Sequence, residues 1–109
     1  MTVEKVYNKL VRDKIPDIIN RANKESITYV ATEEEAKKML LCKLVEELEE
    51  FKETPIEEEL ADILEVIEGI VKAFNLDMDK VKSIKASKKE ERGGFEKRIV
   101  LKKVMEREV

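Results

Sequence analysis

Four acidic residues in two short motifs carry the chemistry open to this chain: Glu47 and Glu50, three residues apart, then Glu59 and Asp62 at the same spacing. On a helix that spacing makes the two acids of each pair neighbours on one face. The face is not a polar one. Ala36, Leu40, Leu44 and Phe51 form an apolar stripe, Glu47 falls inside it, and Glu50 stands at its edge. Glu59 projects among Ile63, Val66 and Ile70, and Asp62 lies one turn from Val66. An unpaired carboxylate on a buried face is costly, so these acids call for a cation or a raised pKa. The chain has no His, and its single Cys, Cys42, lies on a different face from Glu47. A hard, oxygen-binding dication therefore fits, Mg²⁺ or Mn²⁺ rather than Zn²⁺. The lack of His also removes the usual general base and every Ser-His or Cys-His dyad.

The elements that must position these acids are helical. Thr32 followed by Glu35 has the spacing of a capping box and opens a long helix over 33–53. Thr54, Pro55 and Glu57 repeat the device and begin a second helix to about Phe74, with Pro55 at its first position. Pro55 forbids a straight continuation and leaves almost no linker, so the two helices fold back as an antiparallel pair. Counted from the break at Thr54, Glu50 and Glu59 lie roughly 6 and 7.5 Å out, and Glu47 and Asp62 roughly 10.5 and 12 Å. The acids thus pair by level across a gap that holds one or two ions but not four bare charges. Glu46 flanks the set. Glu49, Glu53, Glu57, Glu58, Glu65 and Glu68 are read as solvated faces.

Around the hairpin the pattern predicts a short helix from Ile15-Pro16-Asp17 to about Lys24 and an extended segment or strand over Ile27 to Ala31. A further helix starts at Asp77 and stops at Arg92-Gly93-Gly94, after which Phe95 to Val104 reads as a terminal strand or extended arm. Each Gly and Pro is read as marking a helix start or stop. The fold class is all-α: a hairpin core of a four-helix-type bundle, one domain over 1–109, with that short C-terminal strand or arm. The apolar arc of the second helix, roughly 200° wide and running from Ile56 to Phe74, exceeds what one partner helix covers. A homodimer or higher homo-oligomer is therefore expected to complete the bundle.

Composition narrows the partners. In 109 residues, 22 Lys plus Arg stand against 25 Asp plus Glu, a formal charge of −3, which argues against a duplex-nucleic-acid binder. One cysteine cannot make an intrachain disulfide, and Cys42 is read as a half-buried structural thiol. The start lacks an apolar secretory core and no apolar run approaches a membrane span, so no membrane partner and a cytoplasmic location are expected.

The helix Lys43-Leu44-Val45-Glu46-Glu47-Leu48-Glu49-Glu50 followed by Glu59-Leu60-Ala61-Asp62-Ile63-Leu64 resembles the E-x-x-E and E-x-x-D helices of the MazG-like all-α nucleoside triphosphate pyrophosphohydrolases. The flanks, Tyr7-Asn8-Lys9-Leu10-Val11-Arg12-Asp13-Lys14-Ile15-Pro16 and Gly93-Gly94-Phe95-Glu96-Lys97-Arg98-Ile99-Val100-Leu101, resemble a small branch of house-cleaning members. The likeness spans about Tyr7 to Leu101. It departs from many relatives in the short separation of the two acid motifs. The resemblance implies hydrolysis of a nucleoside triphosphate, modified or surplus, to the monophosphate and pyrophosphate, with Mg²⁺ (or Mn²⁺ in its place) held by Glu47, Glu50, Glu59 and Asp62. It also leaves open phosphoribosyl-ATP pyrophosphohydrolase activity, or a non-catalytic helical nucleotide-binding or regulatory module on the same frame.

Glu47 or Glu46 is the candidate to take the proton of an attacking water. Phosphates need donors, and two basic clusters offer them: Lys9, Arg12 and Lys14 near the start, beside Asn8, and Arg92, Lys97 and Arg98 around the paired glycines. Tyr7, Tyr29, Phe74 and Phe95 are read first as packing residues and second as surfaces for base stacking.

Overall fold

A computed structural model describes residues 3–108; Met1, Thr2 and Val109, the ends of the expected 1–109 domain, lie outside the described residues. The chain is all-helical, with α1 over Ile15–Arg21, α2 over Glu33–Glu53, α3 over Glu57–Ala73 and α4 over Met78–Arg92. It forms two compact units, Met1–Leu76 and Asp77–Val109. No helix among the described residues is long and apolar enough to cross a membrane.

In the first unit α2 packs against α3. The Thr32 hydroxyl accepts from the Glu35 amide at 3.2 Å, which caps α2 as its spacing predicts. The second capping box does not form. Thr54 is already used to end α2, its amide donating to the Glu50 carbonyl at 3.0 Å, and α3 starts after Ile56 with no side-chain cap. Pro55 therefore stands in the turn, not at the first helical position. The other ends of α1 and α3 are closed by asparagine. Asn23 (φ 62°) and Asn75 (φ 57°) take the left-handed conformation. The next amides, Lys24 and Leu76, then donate back to the Ile19 and Val71 carbonyls at 3.3 and 2.9 Å.

Gly69 departs from the helix-stop reading. It lies inside α3, where an added Cβ would come within 3.1 Å of Leu40 Cδ2 on α2. The two positions lie at similar distances from the turn, so Gly69 faces Leu40 across the antiparallel pair, and a side chain there would require Leu40 to give by a few tenths of an ångström.

Among the described residues only Val66 and Val71 are buried apolar residues, and Glu47 is the one buried charged residue. Ala36, Leu40, Leu44 and Phe51 are half-buried, so the predicted stripe is the covered face of α2. The chain on its own leaves Leu41, Val45 and Leu48 of α2 and Leu60 and Leu64 of α3 exposed. Several packing expectations fail as well: Tyr7, Tyr29 and Phe74 are exposed, and so are Phe95 and Cys42.

No strand occurs among the described residues, which corrects both strand expectations. Ile27 to Ala31 runs without regular structure, and Phe95 to Val104 is an arm whose one backbone turn is the Arg98 amide donating to the Phe95 carbonyl at 3.2 Å. β-branched runs become strands only with a neighbour to pair with, and neither has one. In the second unit, α4 is capped by Asp77, whose carboxylate accepts from the Asp79 and Lys80 amides at 2.9 and 3.2 Å. Gly93 (φ 84°) ends α4 in a conformation that favours glycine.

Candidate functional site

The turn at 54–56 and the spacing of the acids bring three carboxylates to one place. One oxygen each from Glu47, Glu50 and Glu59 lie within 4.8 Å of one another. Glu47 is buried at 7% exposure, Glu59 is half-buried and Glu50 faces solvent. Two of the oxygens, Glu47 Oε2 and Glu59 Oε2, are buried and accept no hydrogen bond. Such orphaned acceptors beside like charges leave a demand for a proton or a cation that the local protein does not meet. Lys43, one turn back on α2, reaches Glu47 Oε1 only at 3.6 Å.

Asp62 stands apart from these three. Its Oδ1 lies 2.8 Å from Arg12 Nη2, and the other arm of the guanidinium, Nη1, lies 3.8 Å from Glu65 Oε1. Lys9 likewise holds Glu46, with Nζ 2.7 Å from Oε1. Two predicted phosphate donors are thus seated on acids of the hairpin. Asn8 beside them takes a left-handed backbone (φ 47°), and Lys14 is exposed at the N-terminal cap of α1. Arg92, Lys97 and Arg98 are exposed in the second unit, Arg92 as the last residue of α4 and Lys97 and Arg98 in the turn beyond the glycines.

The hairpin is two-faced. Around each helix the exposed leucines and Val45 are displaced by roughly 80–140° from the covered stripe, all in one rotational sense, and Glu46, Glu50, Asp62 and Glu65 by roughly 70–130° in the other. Because α2 and α3 run antiparallel, equal sense means the same side of the pair. One side therefore carries the acids with the N-terminal arm, and the opposite side carries exposed apolar residues.

Electrostatics follow the geometry. Burial pushes the Glu47 carboxyl above its ordinary value of 4.5, reinforced by the neighbouring Glu50 carboxylate, against a lesser pull from Lys43. Burial and the charges of Glu50 and Asp62 push Glu59 up as well. Glu46 moves the other way, lowered by the hydrogen bond from Lys9, whose own pKa is raised by the same bond. Between 4.5 and the raised values of Glu47 and Glu59 the native state binds more protons than the unfolded chain, so stability falls as pH rises through that window. The opposite contribution of Glu46 is lost only as pH falls below 4.5. In metal chelator the protein is expected to melt at a higher temperature near about pH 5 than near about pH 7.5. A flat or reversed profile by circular dichroism would show that the acids carry no mutual strain.

The sequence reading did not foresee that Lys9 and Arg12 pair with acids 37 and 50 residues away, nor that Glu65 joins Arg12. The only signal was complementary charge, which a chain so rich in both signs offers everywhere. No family model matches the chain, and no curated protein or solved structure matches it either.

Proposed function

We infer that the chain hydrolyses a nucleoside triphosphate to the monophosphate and pyrophosphate, with Mg²⁺, or Mn²⁺ in its place, held by Glu47, Glu50, Glu59 and Asp62. The observation that carries this reading is the set of three converging carboxylates with two buried, unpartnered oxygens, Glu47 Oε2 and Glu59 Oε2. The resemblance of the acid motifs and their flanks to MazG-like pyrophosphohydrolases names the chemistry. The donor set fits the metal: all ligands are carboxylate oxygens, carried on two helices, as hard dications prefer. When bound, the ion supplies neutralisation of the phosphate charge and stabilisation of the pyrophosphate leaving group.

The chain's own residues do the rest. Glu50 and Glu59 hold the site from the two helices, and Glu47 fixes it from within the covered face. Two basic clusters are the alternative donors for phosphate oxygens, Lys9, Arg12 and Lys14 in the first unit or Arg92, Lys97 and Arg98 in the second, Arg through a two-pronged contact. Glu46 and Glu47 are the acceptors for the proton of the attacking water. They are separable by experiment. If Glu46 is the base, Glu46→Gln keeps Mn²⁺ affinity and lowers kcat by about 10²–10⁴. Unchanged kcat in that variant assigns the proton to Glu47.

A second copy of the chain is expected on the exposed apolar side, making a bundle of two hairpins with the acid sides outward. The direct test is a panel of nucleoside triphosphates, including modified bases and phosphoribosyl-ATP, incubated with the protein and Mg²⁺. Pyrophosphate and monophosphate are expected in equal amounts, and release dependent on the metal. Turnover confined to phosphoribosyl-ATP redirects the substrate assignment; binding of nucleotide with no product overturns the enzymatic reading.

A further inference from the structure

Residues 3–14 form neither helix nor strand, yet two of their cations are placed, one on each helix of the hairpin. Lys9 sits on Glu46 of α2 at 2.7 Å, and Arg12 sits on Asp62 of α3 at 2.8 Å with its second nitrogen 3.8 Å from Glu65. The arm therefore straps the acid side from α2 to α3. Of the four acids assigned to the metal, Asp62 is the one this strap engages. Its partner is a guanidinium, whose fork matches a phosphate as well as a carboxylate. A guanidinium and a dication on the same carboxylate repel each other, so the two compete for Asp62. The competition is a soft one, because Arg12 and Asp62 are both partly open to solvent, at 56% and 38% side-chain exposure.

We propose that Arg12 is an exchangeable latch: without nucleotide it occupies Asp62 and weakens divalent-metal binding, and with nucleotide it moves to the phosphates and releases Asp62 to the metal. The proposal rests on the reading of these acids as a metal site. It adds that metal and nucleotide bind with positive coupling, and by reciprocity each raises the affinity for the other. Arg12 is the residue through which that coupling passes. No bond is made or broken in the exchange, only the counter-ion of one carboxylate.

The 109-residue chain, free of metal, is titrated with Mn²⁺ by electron paramagnetic resonance, with and without α,β-non-hydrolysable nucleoside triphosphates. Arg12→Ala is expected to bind Mn²⁺ about two- to fivefold more tightly than the parent in the absence of nucleotide, the range set by an exposed ion pair. The same variant is expected to bind the nucleotide with Mn²⁺ about tenfold more weakly, having lost a charged two-pronged contact. Glu65→Gln, which loosens the latch without touching Asp62, should shift nucleotide-free Mn²⁺ affinity in the same direction and less. In the Asp62→Asn background Arg12→Ala should no longer tighten Mn²⁺, since nothing is left to compete for. Lys52→Ala removes one positive charge from a residue paired with Glu49 on the same helix. If that variant tightens Mn²⁺ as much as Arg12→Ala does, the effect is bulk charge and the latch is overturned. It is overturned too if Arg12→Ala leaves Mn²⁺ affinity unchanged while Glu47→Gln abolishes binding, which keeps the metal site and rejects only the exchange. A parent protein that binds no Mn²⁺ removes both.

Discussion

Glu47→Gln is expected to lower Mg²⁺-dependent pyrophosphate release by at least about two to four orders of magnitude while leaving the metal-free protein as stable as its parent or more so. The two effects have one cause. Glu47 is the most buried member of the carboxylate set and has an orphaned oxygen. On the proposed metal reading, its negative charge is the part of the site that metal-free folding tolerates least and metal binding would use most. Gln keeps the shape and removes the charge. In a thermal melt the parent should gain stability with Mg²⁺ and nucleotide, because both bind the folded state, whereas Glu47→Gln should gain little. A simple structural scaffold predicts the first half of this result, since relieving like charges helps any fold, but not the lost response to ligand. Full turnover by Glu47→Gln would remove the proposed centre outright.

Leu64→Glu is expected to convert an oligomer to a monomer and to lower the melting temperature by several degrees. Leu64 is 57% exposed within one chain, Val45 61%, and Leu41, Leu48 and Leu60 close to half, all on the side of the hairpin away from the acids. Covering a leucine fully is worth about 1.5–3 kcal/mol, and in a two-fold interface each substitution acts twice. With only two buried apolar residues among those described, the isolated chain has little core of its own, so dissociation and unfolding should lie close together. Sedimentation or light scattering at micromolar concentration checks the mass. A parent protein that runs as a monomer would overturn the expected assembly, and a Leu64→Glu variant that stays associated would place the interface elsewhere. A Leu41→Ser variant offers a milder probe, weakening association with less risk to folding.

What could be read ahead of the structure was the part set by local rules. Thr32 caps α2 as its spacing to Glu35 predicts, and Pro55 with so short a linker forces the fold-back that levels Glu50 with Glu59. The convergence of Glu47, Glu50 and Glu59 follows from those two facts and the helical rise. The misses are of another kind. Thr54 had two roles open to it, and the end of α2 took it first. Gly69 looked like a stop because its reason is tertiary, a neighbouring leucine on the other helix. Ile27 to Ala31 and Phe95 to Val104 have strand-forming composition, but a strand is a relation between segments and composition describes only one. Asp62 was read by its level on α3, correctly placed along the axis, yet its partner comes from an arm 50 residues away that no periodicity announces.

The close approach of Gly69 to Leu40 reaches beyond packing. The hairpin is pinned at one end by three residues of turn, and toward the far end Leu40 of α2 packs into the space that residue 69 leaves open. Where Leu40 could not give, a branched side chain there would push α3 away from α2 and widen the gap between facing carboxylates by a fraction of an ångström. That is the scale on which small dications are told from large ones: Mg²⁺ wants oxygens at about 2.0–2.1 Å and Ca²⁺ at about 2.3–2.6 Å. Ionic-radius selectivity would then be governed from two turns away, by an atom that is not there.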